Sequence, residues 1–403
     1  MAEEAASRAA RRARLGVAGL FFANGALFAG AVPRYPEVKG GLDLSNAAFG
    51  AAVAAYGLGA LVLGLLAGAL VARFGSARVA PVTTVVLAVS VVLIAAAGSW
   101  GALVVVLALA GAADSTADLA VNAHGLRVER LRGRPVLNSL HAVWSIGAVA
   151  GGAVGAAAAG AGVPLGWHLG AAAVVMAALA VGCSRLLLPG GDRAERDGAA
   201  PAALGDEPAR SPGARGPRVV GALLVLGVVA AMAQTVEEAG ATWGAVYLRE
   251  ELGAPAAVAG LAFIVLQATQ TVGRLVGDRA VARFGDRAVA RAGASLAGTA
   301  MAVALALPAV GTTVAAFGAV GLGIGTLIPA SLRTADAVPG LPPGTGLVVV
   351  GTVLRLVLLA NPVVVGLVAD AASVRAGLVV IPAAAALVLL LSASLPPRPR
   401  PTS

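Results

Sequence analysis

Long apolar runs alternate along this chain with short polar interruptions. Twelve runs stand near 15–34, 47–71, 79–98, 100–126, 136–160, 164–188, 218–243, 255–277, 288–308, 311–332, 345–369 and 374–395. Each holds about the twenty residues that a helix, rising about 1.5 Å per residue, needs to cross a bilayer's hydrocarbon. The pattern predicts an all-α polytopic membrane protein of twelve transmembrane helices. The first run is long, follows Met1-Ala-Glu-Glu and an arginine cluster (Arg8, Arg11, Arg12, Arg14), and lacks a small-residue cleavage site. It reads as a retained helix rather than a signal peptide. Between the sixth and seventh runs lies P-G-G-D-R-A-E-R-D-G-A-A-P-A-A-L-G-D-E-P-A-R-S-P-G-A-R-G-P. Proline, glycine and mixed charge cannot bury a core, so this segment is expected to be a flexible cytoplasmic linker. The chain then divides into a six-helix half at 1–188, a linker at 189–217, and a second six-helix half at 218–403 with a short cytoplasmic tail.

Composition agrees with a lipid environment. Of 403 residues 59% are hydrophobic and 12% charged, with mean hydropathy +0.89, whereas a soluble domain carries roughly 25% charged residues. The net charge of +9 would suggest a nucleic-acid partner until the charges are located. Arg73, Arg78, Arg127, Arg130, Arg132, Arg134, Arg193, Arg196, Arg279, Arg283 and Arg287 follow even-numbered runs, while the other loops hold Arg34, Lys39, Arg249 and Arg375. That bias predicts cytoplasmic termini in a bacterial inner membrane and needs no nucleic acid. The single Cys183 and three histidines give no disulfide framework and no zinc-type ligand set. With no phosphate-binding loop and no paired nucleophile and base, neither an enzyme nor a resident cofactor is expected.

The halves repeat each other. V-A-R-F-G stands at 71–75 and again at 281–285, an offset of 210. At the same offset Leu42 falls on Leu252, Ala47 on Ala257, Gly50 on Gly260 and Gly111 on Gly321. Two homologous six-helix halves with a mid-membrane solute site are the organisation of many secondary transporters.

Several polar residues interrupt the apolar runs. Asp114, Asp118 and Asn122 are spaced i, i+4, i+8 and form one stripe on the fourth helix. A carboxylic acid in a low-dielectric site can load and release a proton as its access to water alternates, or it can tether neighbouring helices. His141, Trp144 and Ser145 open the fifth helix; His141 could relay protons with the stripe or pack near Trp144. Glu237 and Glu238 fall past the middle of the seventh helix, where only one can point squarely inward. Arg355 lies mid-membrane in the eleventh helix and cannot shed its charge, so Glu237, Glu238 or an acidic solute is expected to pair with it. Gln267, Gln270 and Arg274 give the eighth helix a polar face suited to hydroxyl groups or to helix–helix bonding. Gly147, Gly151 and Gly155 make a ridge whose plainest use is close helix packing.

Over nearly its whole length the chain resembles the major facilitator superfamily. G-A-L-V-A-R-F-G-S-A-R (68–78) and G-R-L-V-G-D-R-A-V-A-R-F-G (273–285) are similar to that family's loop after the second and eighth helices. The resemblance implies a cytoplasmic gate built on Arg73, Gly75, Arg274, Asp278, Arg283 and Gly285, with Ala72 where the first acid would stand. D-L-A-V-N (118–122), L-N-S-L-H-A-V-W-S-I-G (137–147) and E-E-A-G-A-T-W-G-A-V-Y-L-R-E-E-L-G (237–253) resemble the fucose-permease-like branch, closest to its YbjJ-like bacterial inner-membrane members. That resemblance implies proton coupling at Asp118, and at Asp114 or His141 beside it. It also implies a solute cavity, for which Asn24, Asn122, Glu237, Glu238, Gln267, Gln270 and Arg355 are the candidates. The branch's first-helix acid is missing; Asn24 is the notable polar residue there. The expected protein is a monomeric secondary active transporter that works by alternating access in the lipid bilayer. It would be powered by the proton gradient and move a small, sugar-like solute inward. The alternative is a proton-driven exporter of drugs or metabolites, against which counts the absence of a Gly-Pro pair from the fifth helix.

Overall fold

Every regular element among the described residues is a helix. The structure, a computed structural model, describes residues 2–133, 136–190, 217–338, 341 and 345–397. Apart from Pro189, Gly190 and Pro217, the linker reading for 189–217 lies outside the described residues, as do Arg134 and the tail beyond 397. Among the described residues twelve helices are long and apolar enough to cross a membrane, matching the twelve runs.

The chain forms two compact units. The first contains α1 (Ala2–Ala31), residues 55–74 of α2 (Asn46–Phe74), α3 (Ser76–Ala96), α4 (Trp100–Arg132), α5 (Leu137–Gly160) and α6 (Leu165–Ser184). The second contains α7 (Pro217–Val246), α8 (Leu261–Phe284), α9 (Asp286–Ala306), α10 (Val310–Ile324), α11 (Thr345–Ala371) and α12 (Val380–Leu391). Residues Ser45–Ala54, which include the start of α2, group with the second unit. There the Asp370 carboxylate accepts from the backbone N–H groups of Asn46 (2.7 Å) and Ala47 (2.9 Å), and Phe49 meets Trp243 edge-on at 5.8 Å. An acid on the first free N–H groups of a helix satisfies donors that nothing else in the helix can reach.

In water these helices would leave intolerable surface uncovered. Val105, Val174 and Leu390 are 67%, 70% and 78% exposed, a distribution that only hydrocarbon accommodates. Association in lipid then relies on close backbone approach, and small residues provide it. A Cβ on Gly147, Gly151 or Gly155 of α5 would run into the carbonyls of Phe22, Ala26 and Gly30 of α1, one turn after another. The glycine ridge is therefore a packing seam.

The duplication survives in atomic detail. A Cβ on Gly111 would strike the Tyr56 carbonyl, and a Cβ on Gly321 would strike the Leu266 carbonyl, the same pair displaced by 210. Gly75 and Gly285 break the chain between α2 and α3 and between α8 and α9 with φ 82° and 83°. Only glycine adopts that backbone without penalty. Just before them, the Arg73 guanidinium lies 5.4 Å from the Phe74 ring centre, and that of Arg283 lies 5.3 Å from the Phe284 ring centre.

Several helices differ from the apolar runs that predicted them. α4 spans 33 residues, about 50 Å, so its basic end outruns the hydrocarbon. The tenth run breaks into Val310–Ile324 and Leu327–Asp336, where Gly325 approaches the backbone of Gln270 and Arg274. The twelfth breaks between Val374–Gly377 and Val380–Leu391, because Pro382 cannot donate to the carbonyl four residues before it. The eighth run starts as a short helix, Ala256–Ala259, before α8.

Each unit also holds the end of its last helix. In the first, His124 accepts from the Leu188 N–H at 3.0 Å and meets the Ser76 hydroxyl at 2.8 Å, while Arg127 donates to the Pro189 carbonyl at 2.9 Å. In the second, Arg287 donates to the carbonyls of Ala393 (2.7 Å) and Leu395 (3.1 Å).

Candidate functional site

In the first unit the predicted stripe is the centre of a chain of hydrogen bonds. Four-residue spacing on α4 puts Asp114, Asp118 and Asn122 on one face. The buried Asn24 of α1 donates from Nδ2 to Asp114 Oδ1 at 2.7 Å and accepts on Oδ1 from the Trp144 indole N–H of α5 at 2.7 Å. Asn24, the notable polar residue of the first helix, thus holds the first acid of the α4 stripe. The Tyr56 hydroxyl of α2 is buried beside Asp114. One turn on, Asn122 Nδ2 donates to the Asp118 carboxylate and to its backbone carbonyl, both at 2.9 Å. With that amide committed as donor, the His141 Nε2–H donates to Asn122 Oδ1 at 3.1 Å. His141 meets Phe21 edge-on at 5.0 Å rather than stacking near Trp144. His141 therefore joins Asp118 through Asn122. Asp114 is half-buried and Asp118 exposed, so the stripe opens from a shielded end to an accessible one.

The second unit treats its two acids oppositely. Glu237, half-buried, faces α8, where Gln270 Nε2 donates to it at 2.7 Å and Arg274 Nη2 stands 3.9 Å away. Glu238, 8% exposed, turns to α11: Thr242 donates to Oε1 at 2.5 Å, and Asn361 Nδ2 donates to Oε2. Gln267 is buried on α8, with its Nε2 and the Gln270 Oε1 unpartnered among the described residues.

Arg355 meets neither of its two expected protein partners. It is exposed, and among the described residues it makes no hydrogen bond or ion pair. Its expected partners are engaged elsewhere, Glu237 with α8 and Glu238 with α11.

The gate residues divide. Arg73, Gly75, Arg283 and Gly285 sit in equivalent turns of the two units. Arg274 faces Glu237 across the helices instead of the loop. Asp278 is exposed and unpaired among the described residues, and the acid engaged at this loop is Asp286, which accepts from Arg333 at 3.0 Å. Asp286 follows Gly285 directly and so begins α9, where a carboxylate is favoured.

Trp144, Tyr56, Thr242, Asn361 and Asp286 were not among the predicted site residues. Tyr56 is one of only three tyrosines and lies within an apolar run, a signal that sequence alone offered.

Comparison with known proteins agrees with this architecture. The sequence profile of the Major Facilitator Superfamily matches residues 17–237. The transporter y4wD of Sinorhizobium fredii is 30% identical over 381 residues, covering 94% of this chain and 96% of its own length. The membrane protein MosC of Rhizobium meliloti is 26% identical over 380 residues, 93% of this chain and 88% of the relative. Among solved structures, the nucleoside transporter NupG superposes with a TM-score of 0.71 at 14% identity, covering 94% of this chain and 97% of NupG. A bacterial homologue of the human lysosomal transporter Spinster gives 0.66 at 15% identity, covering 96% and 97%. At such identities the structural likeness bears on the fold alone; the profile and the sequence relatives carry the assignment. The chain belongs to the major facilitator superfamily and is a multi-pass membrane transporter.

Proposed function

We propose that this transporter couples uptake of a small hydroxylated, sugar-like solute to the proton gradient by alternating access, with Asp118 and Asp114 carrying the proton. The observation that carries the reading is the Asn24–Asp114 and Asn122–Asp118 pairing: neutral amides supply the hydrogen bonds to both carboxylates. A carboxylate locked to a guanidinium is held in its charged form, whereas one held by amides can exchange a proton with water. The His141–Asn122–Asp118 chain extends the same network towards α5. The amides of Gln267 and Gln270 offer a donor and an acceptor of the kind that ring hydroxyls match. NupG, of the same fold, is a transporter of nucleosides, which are hydroxylated solutes. The arginine bias supports a reading with both termini in the cytoplasm and the chain in a bacterial inner membrane.

The test is solute flux in proteoliposomes of the purified full-length protein, with and without an imposed pH gradient. Uphill accumulation that follows the gradient is expected. Flux indifferent to it would sink the proton-coupled reading.

A further inference from the structure

We propose that Glu238 is a second proton-carrying residue, kept as the neutral acid by burial away from any counter-charge, and that its protonation state is passed through Asn361 to α11 at Pro362. This rests on the proton-coupled reading above and adds to it a site in the other unit.

The environment of Glu238 is closed and uncharged. Its side chain, Thr242 and Asn361 are 8%, 4% and 5% exposed. Both carboxyl oxygens face neutral groups, the Thr242 hydroxyl and the Asn361 amide. The charged groups on the elements packed against α7 are directed elsewhere. On α8, Arg274 faces Glu237; on α11, Arg355 is exposed and Asp370 holds the N–H groups of Asn46 and Ala47. After α10, Arg333 pairs with Asp286. In the turn Tyr247–Glu251, Arg249 donates to the Ala254 carbonyl and Glu251 accepts from the Arg375 N–H before α12. Glu250 of that turn and Asp336 after α10 make no hydrogen bond or ion pair with Glu238. No described cation meets Glu238.

An ionised carboxylate in such a place would be buried at membrane depth without a counter-charge, which is costly. The neutral acid can keep both partners. With a proton on Oε1, the bond to Thr242 reverses, and the acid donates to the hydroxyl that donates to it in the ionised form. The carbonyl oxygen Oε2 keeps the Asn361 donor. Asn361 also reaches the Thr235 carbonyl at 3.3 Å, so one amide ties two points of α7 to α11. The next residue, Pro362, lies inside α11 and removes a backbone donor, which makes this the point where the helix bends most easily. Loss of the proton to water would draw the Asn361 donor harder onto the charged carboxylate at that weak point, and its return would relax the contact.

Infrared difference spectroscopy on the full-length protein in nanodiscs, titrated with pH, tests this. An Asp114→Asn/Asp118→Asn background leaves Glu238 as the proposed source of a protonated-carboxyl C=O band at neutral pH. The band is expected in that background and is expected to vanish in Glu238→Gln, which preserves shape and both neutral partners. Asn361→Ala removes the donor to the C=O and should move the band to higher frequency. A missing band, a band that survives Glu238→Gln, or one unmoved by Asn361→Ala would overturn the proposal. In otherwise native protein, Glu238→Gln should flatten the pH profile of flux; an unchanged profile would overturn the carrying role. The spectra need neither solute nor gradient, so a missing band removes Glu238 and leaves the Asp118 reading intact.

Discussion

The two units share an ancestry visible in their backbones, yet they house their acids in opposite ways. In the first, Asp114 and Asp118 sit on a stripe linked through Asn24, Trp144, Asn122 and His141 and reaching an exposed end. In the second, Glu238 is sealed between α7 and α11, and Glu237 is matched to the amide and guanidinium of α8. The glycine contacts at Gly111 and Gly321 coincide at the duplication offset, whereas the acids do not. A duplicated scaffold can keep its packing contacts while its polar interior diverges. Packing depends on where backbones touch, and chemistry depends on a few side chains that can change without moving them.

The sharpest way to break this contrast is to neutralise one acid in each unit. Asp118→Asn should reduce gradient-driven accumulation to background while solute exchange across the liposome persists; Glu237→Gln should weaken solute binding and leave coupling in place. If Asp118→Asn accumulates solute normally, the stripe is only a tether. Next in size is the shared scaffold. Gly111→Val and Gly321→Val each force a side chain against a carbonyl and should cost about 1–3 kcal/mol or more, with similar losses of thermal stability in detergent. A loss confined to one of the two would show that the equivalent contacts no longer do equivalent work. Smaller still, Trp144→Phe removes the indole donor to Asn24 and should cost about 0.5–1.5 kcal/mol, read as a several-fold fall in flux at normal folded yield. Unchanged flux would separate Asn24 from the working network. The smallest effect is expected at the loop: a double-mutant cycle on Asp286→Asn and Arg333→Gln should give a coupling below about 1 kcal/mol, because Arg333 is half-exposed.

Much of the fold was open to reading because lipid imposes a long apolar run on each helix, and because V-A-R-F-G fixed the register of the two halves. The breaks were harder. Gly325 interrupts its helix because α8 comes close, a tertiary cause, and Pro382 looks tolerable in a run that is otherwise purely apolar. At the site, the stripe on α4 was visible because its spacing is local. The role of Asn361 was not, since its carboxylate partner stands 123 positions away and an Asn before Pro looks like an ordinary helix end. Arg355 was expected to pair with Glu237, Glu238 or an acidic solute, and Gln270, Arg274, Thr242 and Asn361 already occupy the two glutamates.

The glycine seam between α1 and α5 has a use in measurement. Three successive turns of α5 rest directly on carbonyls of α1, with no side chain between them to change rotamer. That pair should behave as one solid piece throughout turnover. Spin labels placed at matched ends of α1 and α5 would therefore give a constant separation, a ruler against which every other distance in the working protein can be read.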